Sequence, residues 1–308
     1  EQRLLGVNAD RIDRITNYLA TIEGTQVLVE DVDKALDEIE RVKPLYGWLA
    51  NALASGLACA AFAFLNAGGW VECSVVAIAA FIGQFLRRQM LKRHMNHFGV
   101  WMVCGGVAAS VYILCVYLAQ KYMGIDPTHQ AGFISALLFL VPGFPLVTGI
   151  IDLVRHDFAG GIQRIVYVAM LVVSAGVASK VFNWSVTPEY VVSLPAYIHF
   201  PLRFFTSFVA AFGFAMLFNS PPKVCAAAAL IGAVINTGRI ALAVELGMPV
   251  PAAVGLAALC AGLLAAAVAA KTRYSRVTLS VPAVVIMIPG VPLYRSLTYL
   301  NNGQTMDA

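Results

Sequence analysis

VPGFPLVTG at residues 141–149 and IPGVPLYRS at residues 288–296 decide how this chain reads. Each carries Pro-Gly-x-Pro-Leu inside a long apolar run. Proline removes a backbone donor and clashes with the preceding helical turn. Glycine frees the chain to leave helical geometry. A second proline two residues on favours a fresh helix start. The two stretches therefore mark helices that break and restart in mid-run.

The surrounding sequence sets those breaks in a bilayer. The chain has a mean hydropathy of +0.76, and 12% of its 308 residues are charged, against about 25% in soluble domains. Apolar spans are expected at about 46–66, 70–86, 98–118, 131–153, 160–182, 201–218, 223–245, 249–270 and 277–299. Most suffice to cross a hydrocarbon core of about 30 Å, and repeated spans exclude a lone signal peptide. The expected class is an all-α polytopic membrane protein. Cys59, Cys73, Cys104, Cys115, Cys225 and Cys260 fall almost wholly within apolar runs and form no metal-ligand spacing, so they read as small packing residues. No phosphate-binding GxxxxGK[ST], HExxH or GxSxG occurs. The sequence thus asks for no enzyme chemistry, cofactor, metal or nucleic acid.

Residues 1–45 differ. They hold ten of the 17 acidic residues. Ile12, Ile15, Leu19 and Ile22 form one helical stripe, with Asn8 as N-cap and Gly24 as stop, and Val32, Leu36, Ile39 and Val42 form a second before Pro44. This predicts a cytosolic amphipathic hairpin whose stripes need a partner. The basic stretches RRQMLKRHMNH (87–97) and KTRYSR (271–276), with Arg155, Arg164 and Lys223, all fall on one side of the membrane if the N-terminus is cytoplasmic.

On that topology the fourth and ninth spans cross in opposite directions. FAFLN (62–66) and FAMLFN (214–219) echo each other at the ends of spans one and six. Two five-helix repeats of inverted topology follow, a plan common in secondary transporters. Repeat one would occupy 46–183 and repeat two 201–308, truncated, with a tenth span expected beyond the chain end.

Paired breaks at bilayer depth expose backbone groups that protein, water or ligand must satisfy. Half-helix N-termini attract carboxylates and C-terminal carbonyls attract ammonium groups, which suits a zwitterion; simple proline kinks used for packing are the alternative. Candidate substrate-binding residues are Pro142, Gly143, Pro145 and Thr148 at the first break, and Pro289, Gly290, Pro292, Tyr294, Arg295 and Ser296 at the second. Asn236 in span seven joins them. Asp152 is the candidate proton-coupling carboxylate, or an interfacial Asp. Arg239 and Glu245 are secondary candidates, with snorkelling or interfacial roles as the alternative.

FAFLNAGGWVE, RRQMLKRHMNHF and LVPGFPLVTGIIDLVRHDFAGGIQR resemble the first half of the threonine/serine exporter family. FAMLFNSPPK and VPAVVIMIPGVPLYRSLTYLNNG resemble its second half. The resemblance covers about residues 8–303 and implies ten spans, a cytosolic N-terminal region, a place in the bacterial inner membrane, and export of threonine and serine driven by the proton gradient. Relatives with split halves are linked to dicarboxylate export, so that substrate stays open. The expected partners are thus a small amino-acid substrate, protons and lipids. Small-residue runs at 56–63 and 261–270 also permit a homo-oligomer. A small-solute channel and a membrane scaffold are the rival readings.

Overall fold

The computed structural model describes residues 7–66, 68–124, 131–140, 142–181 and 196–288. It is helical throughout these residues, with no strand among them.

Helix α1 (Ala9–Ile22) starts where the Asn8 side chain accepts from the Arg11 amide, and the chain turns at Gly24, whose φ is +77°. Helix α2 (Val29–Arg41) has no buried residue, and Leu28 and Val29 beside its start are 71% and 76% exposed. The apolar stripe expected of α1 is only part of what docks: Ile12 packs on the core, while Ala9, Asp10 and Asp13 are the buried positions. The hairpin is tied to the bundle by polar bonds. Ala9 N–H donates to the Phe218 carbonyl (2.9 Å), Asn219 Nδ2 donates to Asn8 Oδ1 (2.8 Å), and Leu45 N–H donates to Asn219 Oδ1 (2.8 Å). Asn219 reaches both because it sits in the left-handed region, φ +58°, in the turn before Pro221 and Pro222.

Six described helices are long and apolar enough to cross a membrane: α3 (Trp48–Leu65), α4 (Trp70–Lys92), α5 (His97–Met123), the 200–217 part of α9 (Ala196–Leu217), α10 (Pro222–Val244) and α11 (Val250–Lys271). Between α5 and α9 lie α6 (Ala131–Ala136), a 3₁₀ turn (Leu138–Leu140), α7 (Gly143–Val154) and α8 (Phe158–Val181). Helix α12 (Arg276–Val285) closes the described chain. Helix α11 shows the membrane pattern plainly. Ala253, Ala257, Ala261 and Ala265 form its buried stripe, while Leu256, Leu259 and Leu263 are 44%, 61% and 62% exposed. Small residues inside and large apolar ones outside suit helices that pack closely in lipid rather than in water.

One expectation changes in detail. The basic stretch from residue 87 is not a loop: α4 runs through it to Lys92, because Arg, Gln, Met, Leu and Lys are good helix formers. The chain turns only at His94, φ +54°, before Asn96 caps α5 by accepting from the Phe98 and Gly99 amides. The fourth apolar run breaks where its Pro-Gly pair predicted. It divides into α6, the 3₁₀ turn and α7, with Pro142 as the N-cap of α7.

Helix α3 packs against both α4 and α9, and α12 lies against α7, α9, α10 and α11. The broken segment α6 to α7 threads beside α3, α4, α5 and α12. This places the break within the bundle.

Candidate functional site

A cavity of about 480 Å³ opens at the end of the bundle where the hairpin sits. Phe139, Pro142, Gly143 and Pro145 line it, so the first break contributes directly. Of its other walls, α1 supplies Arg11, α3 Asn51, α4 Gln84, Arg87 and Arg88, α5 His97 and Trp101, and α8 Tyr167. Its lining holds Arg11, Arg87, Arg88, Lys92 and His97, and no acidic side chain among the described residues.

The break is stabilised by two side chains that cap its loose carbonyls. Trp101 Nε1 donates to the Leu140 carbonyl at 2.7 Å, and Arg87 Nη1 donates to the Phe139 carbonyl at 3.3 Å. The Arg87 guanidinium lies over the Trp101 ring, 4.2 Å from its centroid. Arg87 also donates to Gln84 Oε1 (3.2 Å), and Gln84 Nε2 donates to Asn51 Oδ1 (2.6 Å). The Arg87 Nε is enclosed without a hydrogen-bond partner, and no Asp or Glu among the described residues pairs with this guanidinium. Arg88 is differently employed: it donates to the Gly47 and Tyr46 carbonyls at 2.8 and 3.1 Å, fixing the start of α3. Arg11 donates to the Glu40 and Val42 carbonyls, fixing the end of α2.

Helix α7 starts at the cavity wall. Leu146 N–H reaches the Pro142 carbonyl (3.1 Å). Pro145 has no N–H, and the Gly143 and Phe144 amides lie where no intrahelical carbonyl reaches. That end carries the positive pole of the helix. Gly143 is required by close packing: a Cβ there would stand 3.0 Å from both methyls of Val285 and 3.4 Å from Ile288 Cδ1. The residues leading into the second Pro-Gly stretch thus press on the first. Gly83 serves the same wall, since a Cβ on it would collide with the Phe139 ring.

The remaining candidates divide. Thr148 Oγ1 donates to its own helix, at the Phe144 (2.9 Å) and Pro145 (3.3 Å) carbonyls. Asp152 pairs with Arg164 at 2.6 Å across the turn between α7 and α8 and does not line the cavity. Asn236 is fully buried between α9 and α10, donating to Ser207 Oγ (2.9 Å) and accepting from Arg239 Nε (2.9 Å). Glu245 is the exposed C-cap of α10. Pro289, Gly290, Pro292, Tyr294, Arg295 and Ser296 lie outside the described residues. Arg87, Gln84, Trp101 and His97 were absent from the sequence reading of the site, because a basic run beside an apolar one reads as a loop. The helix-forming composition of RRQMLK was the available signal.

A bundle of apolar helices with a broken helix at a cation-lined cavity is the build of a membrane transporter. A family model described as a threonine/serine exporter matches residues 3–182, and a second, described as "Threonine/Serine exporter, ThrE", matches residues 203–308. The chain belongs to the threonine/serine exporter family. It is similar to a protein of Klebsiella aerogenes named "Probable succinate transporter subunit YjjP", 26% identical over 183 residues, 58% of this chain and 68% of that one. The Escherichia coli K12 protein of the same name is 24% identical over 181 residues, with the same shares covered. No solved structure matches.

Proposed function

We propose that this chain is a secondary active exporter of small hydrophilic carboxylates, coupled to the proton gradient of a bacterial inner membrane. The carrying observation is the cavity at the start of α7: its lining includes a guanidinium, Arg87, without a carboxylate partner among the described residues. A buried charge left uncompensated is costly, and an anionic ligand removes that cost. Threonine and serine, the substrates in the family's name, each bring one carboxylate. A dicarboxylate, as in the relatives' name, brings two. The described lining favours the dicarboxylate, because it offers an α-ammonium only neutral acceptors such as Asn51 Oδ1.

In this reading the hairpin faces the cytoplasm and the cavity opens there. The two halves are inverted five-helix repeats. Alternating access comes from rocking one repeat against the other. Flux of labelled threonine, serine and succinate from proteoliposomes, with and without an imposed pH gradient, tests it. Saturable, gradient-dependent efflux of one of them is the expected result; no flux of any overturns the proposal. Single-channel currents would instead favour a pore.

A further inference from the structure

We infer that His97 is the group that takes up the coupling proton, and that it does so together with the carboxylate. The inference rests on reading the cavity as a carboxylate site in a proton-coupled carrier. Such a carrier needs a side chain that titrates near neutral pH and feels the substrate. Among the described lining residues, Arg11, Arg87, Arg88, Lys92, Tyr46 and Tyr167 belong to side-chain classes whose ordinary titration ranges lie well above neutrality. No described lining residue is a carboxylate. The His97 imidazole is the lining group whose ordinary titration range spans neutrality.

Its surroundings join it to the anion site. His97 Nδ1 is 2.9 Å from the Tyr167 hydroxyl, and its ring stacks on Trp101 at 5.9 Å with an interplanar angle of 11°. Trp101 carries Arg87. The groups facing His97 are therefore Arg87 from α4, Tyr167 from α8 and the uncharged Trp101 from its own helix. Among the described residues no carboxylate lies within ion-pair distance of it. Protonating His97 in an empty cavity sets a second cation beside Arg87. A carboxylate between them removes that repulsion, so anion and proton strengthen each other's binding by the same factor. Asp152, held by Arg164 outside the cavity, has no such route to the substrate. Joint occupancy makes the proton a passenger with the substrate rather than an exchanged ion, so an outside-acid pH gradient opposes efflux and the membrane potential supplies the drive. A dicarboxylate leaving with one proton still moves net negative charge outward, the direction an inside-negative potential favours.

Calorimetric titration of the purified full chain in nanodiscs tests this, with fumarate and L-threonine as probes, whose carboxyls stay ionised above about pH 5.5. Running each titration in buffers of different ionisation enthalpy counts protons taken up per anion bound. The expected result is proton uptake between about pH 6 and 7.5, with affinity about tenfold tighter at the acid end. His97→Gln should lose both effects: no proton uptake on binding, and an affinity that no longer tightens toward acid pH. Uptake that persists unchanged in His97→Gln overturns the inference, as does binding without uptake in the native chain. An uptake midpoint in the carboxylate range overturns it in favour of Asp152. Failure of both probes to bind at any pH instead removes the carboxylate site itself. If His97→Gln does not fold, Tyr167→Phe decides: loss of the hydroxyl beside Nδ1 should shift the pH of maximal uptake, and an unmoved profile overturns the inference.

Discussion

Arg87 and Trp101 donate to consecutive carbonyls, those of Phe139 and Leu140, while the guanidinium rests 4.2 Å over the indole. The two side chains hold the end of the 3₁₀ turn open as one unit, and the same guanidinium faces the cavity. A carboxylate arriving at Arg87 competes with the Phe139 carbonyl for its donors, so substrate and backbone break share one residue.

Replacing Arg87 should therefore weaken carboxylate binding and loosen the break together. Arg87→Ala is expected to cost about 2 kcal/mol, roughly 30-fold in Kd. Arg87→Lys should recover little, because a point charge neither stacks flat on Trp101 nor spans two acceptors. Binding titrations of both variants check this; full recovery in the lysine variant contradicts the planar-fork account.

Gly143→Ala tests the contact between the first break and α12. The added methyl meets Val285 at 3.0 Å, closer than ordinary packing allows. Overpacking of this kind costs about 1–3 kcal/mol. Val285→Ala in the same chain should return most of that loss, a coupling that a double-mutant cycle measures directly. Additive losses in thermal unfolding would mean that the two residues do not press on each other in the membrane.

These tests aim at residues of unequal legibility. Pro142 and Gly143 announced the break because their chemistry is local: one lacks a donor, the other a Cβ, and both facts stand in the sequence. The membrane class was equally readable from the apolar runs. Arg87 was not, because its role comes from where α4 ends. The helix continues six residues past the expected span, Arg87 first among them, and only tertiary contact with Phe139 and Trp101 makes it a site residue. Asn236 looked like a cavity residue on polarity alone, yet its hydrogen bonds to Ser207 and Arg239 give it a packing partner between α9 and α10. The buried face of α1 also defied its stripe, since Asp10 and Asp13 dock where isoleucines were expected to lead.

The Asp152–Arg164 pair should prove structural. Its side chains are 20% and 50% exposed, and a pair so placed contributes about 0–1 kcal/mol. Asp152→Asn is expected to lower stability by no more than that and to leave the pH profile of transport in place. A flattened profile in this variant would return the proton to Asp152 and take it from His97.

Asp13 gives the last prediction, on the attachment of the hairpin. Its Oδ1 accepts from the Ser275 amide (2.8 Å) and the Thr278 hydroxyl (2.9 Å), bracing the start of α12, the helix that presses on Gly143 and whose N-cap is Ser275. Its Oδ2 is buried without a partner. Burial raises the pKa above the ordinary carboxylate value, outweighing the two bonds, and nearby Asp10 adds to the rise. A carboxyl that binds its proton more tightly folded than unfolded stabilises the docked state fully below its unfolded pKa, about 3.9. That contribution is lost as pH rises through the raised folded value. Protonation sits on Oδ2 and leaves both bonds to Oδ1 intact. The hairpin should therefore grip α12 more firmly on mild acidification. Asp13→Asn should remove this pH dependence while keeping the two bonds to the start of α12. Asp13→Ala should lose both bonds and about 1–3 kcal/mol. Hydrogen exchange at the Ser275 amide across pH 4–7 reads the difference, and protection that rises with pH in the native chain would contradict the assignment.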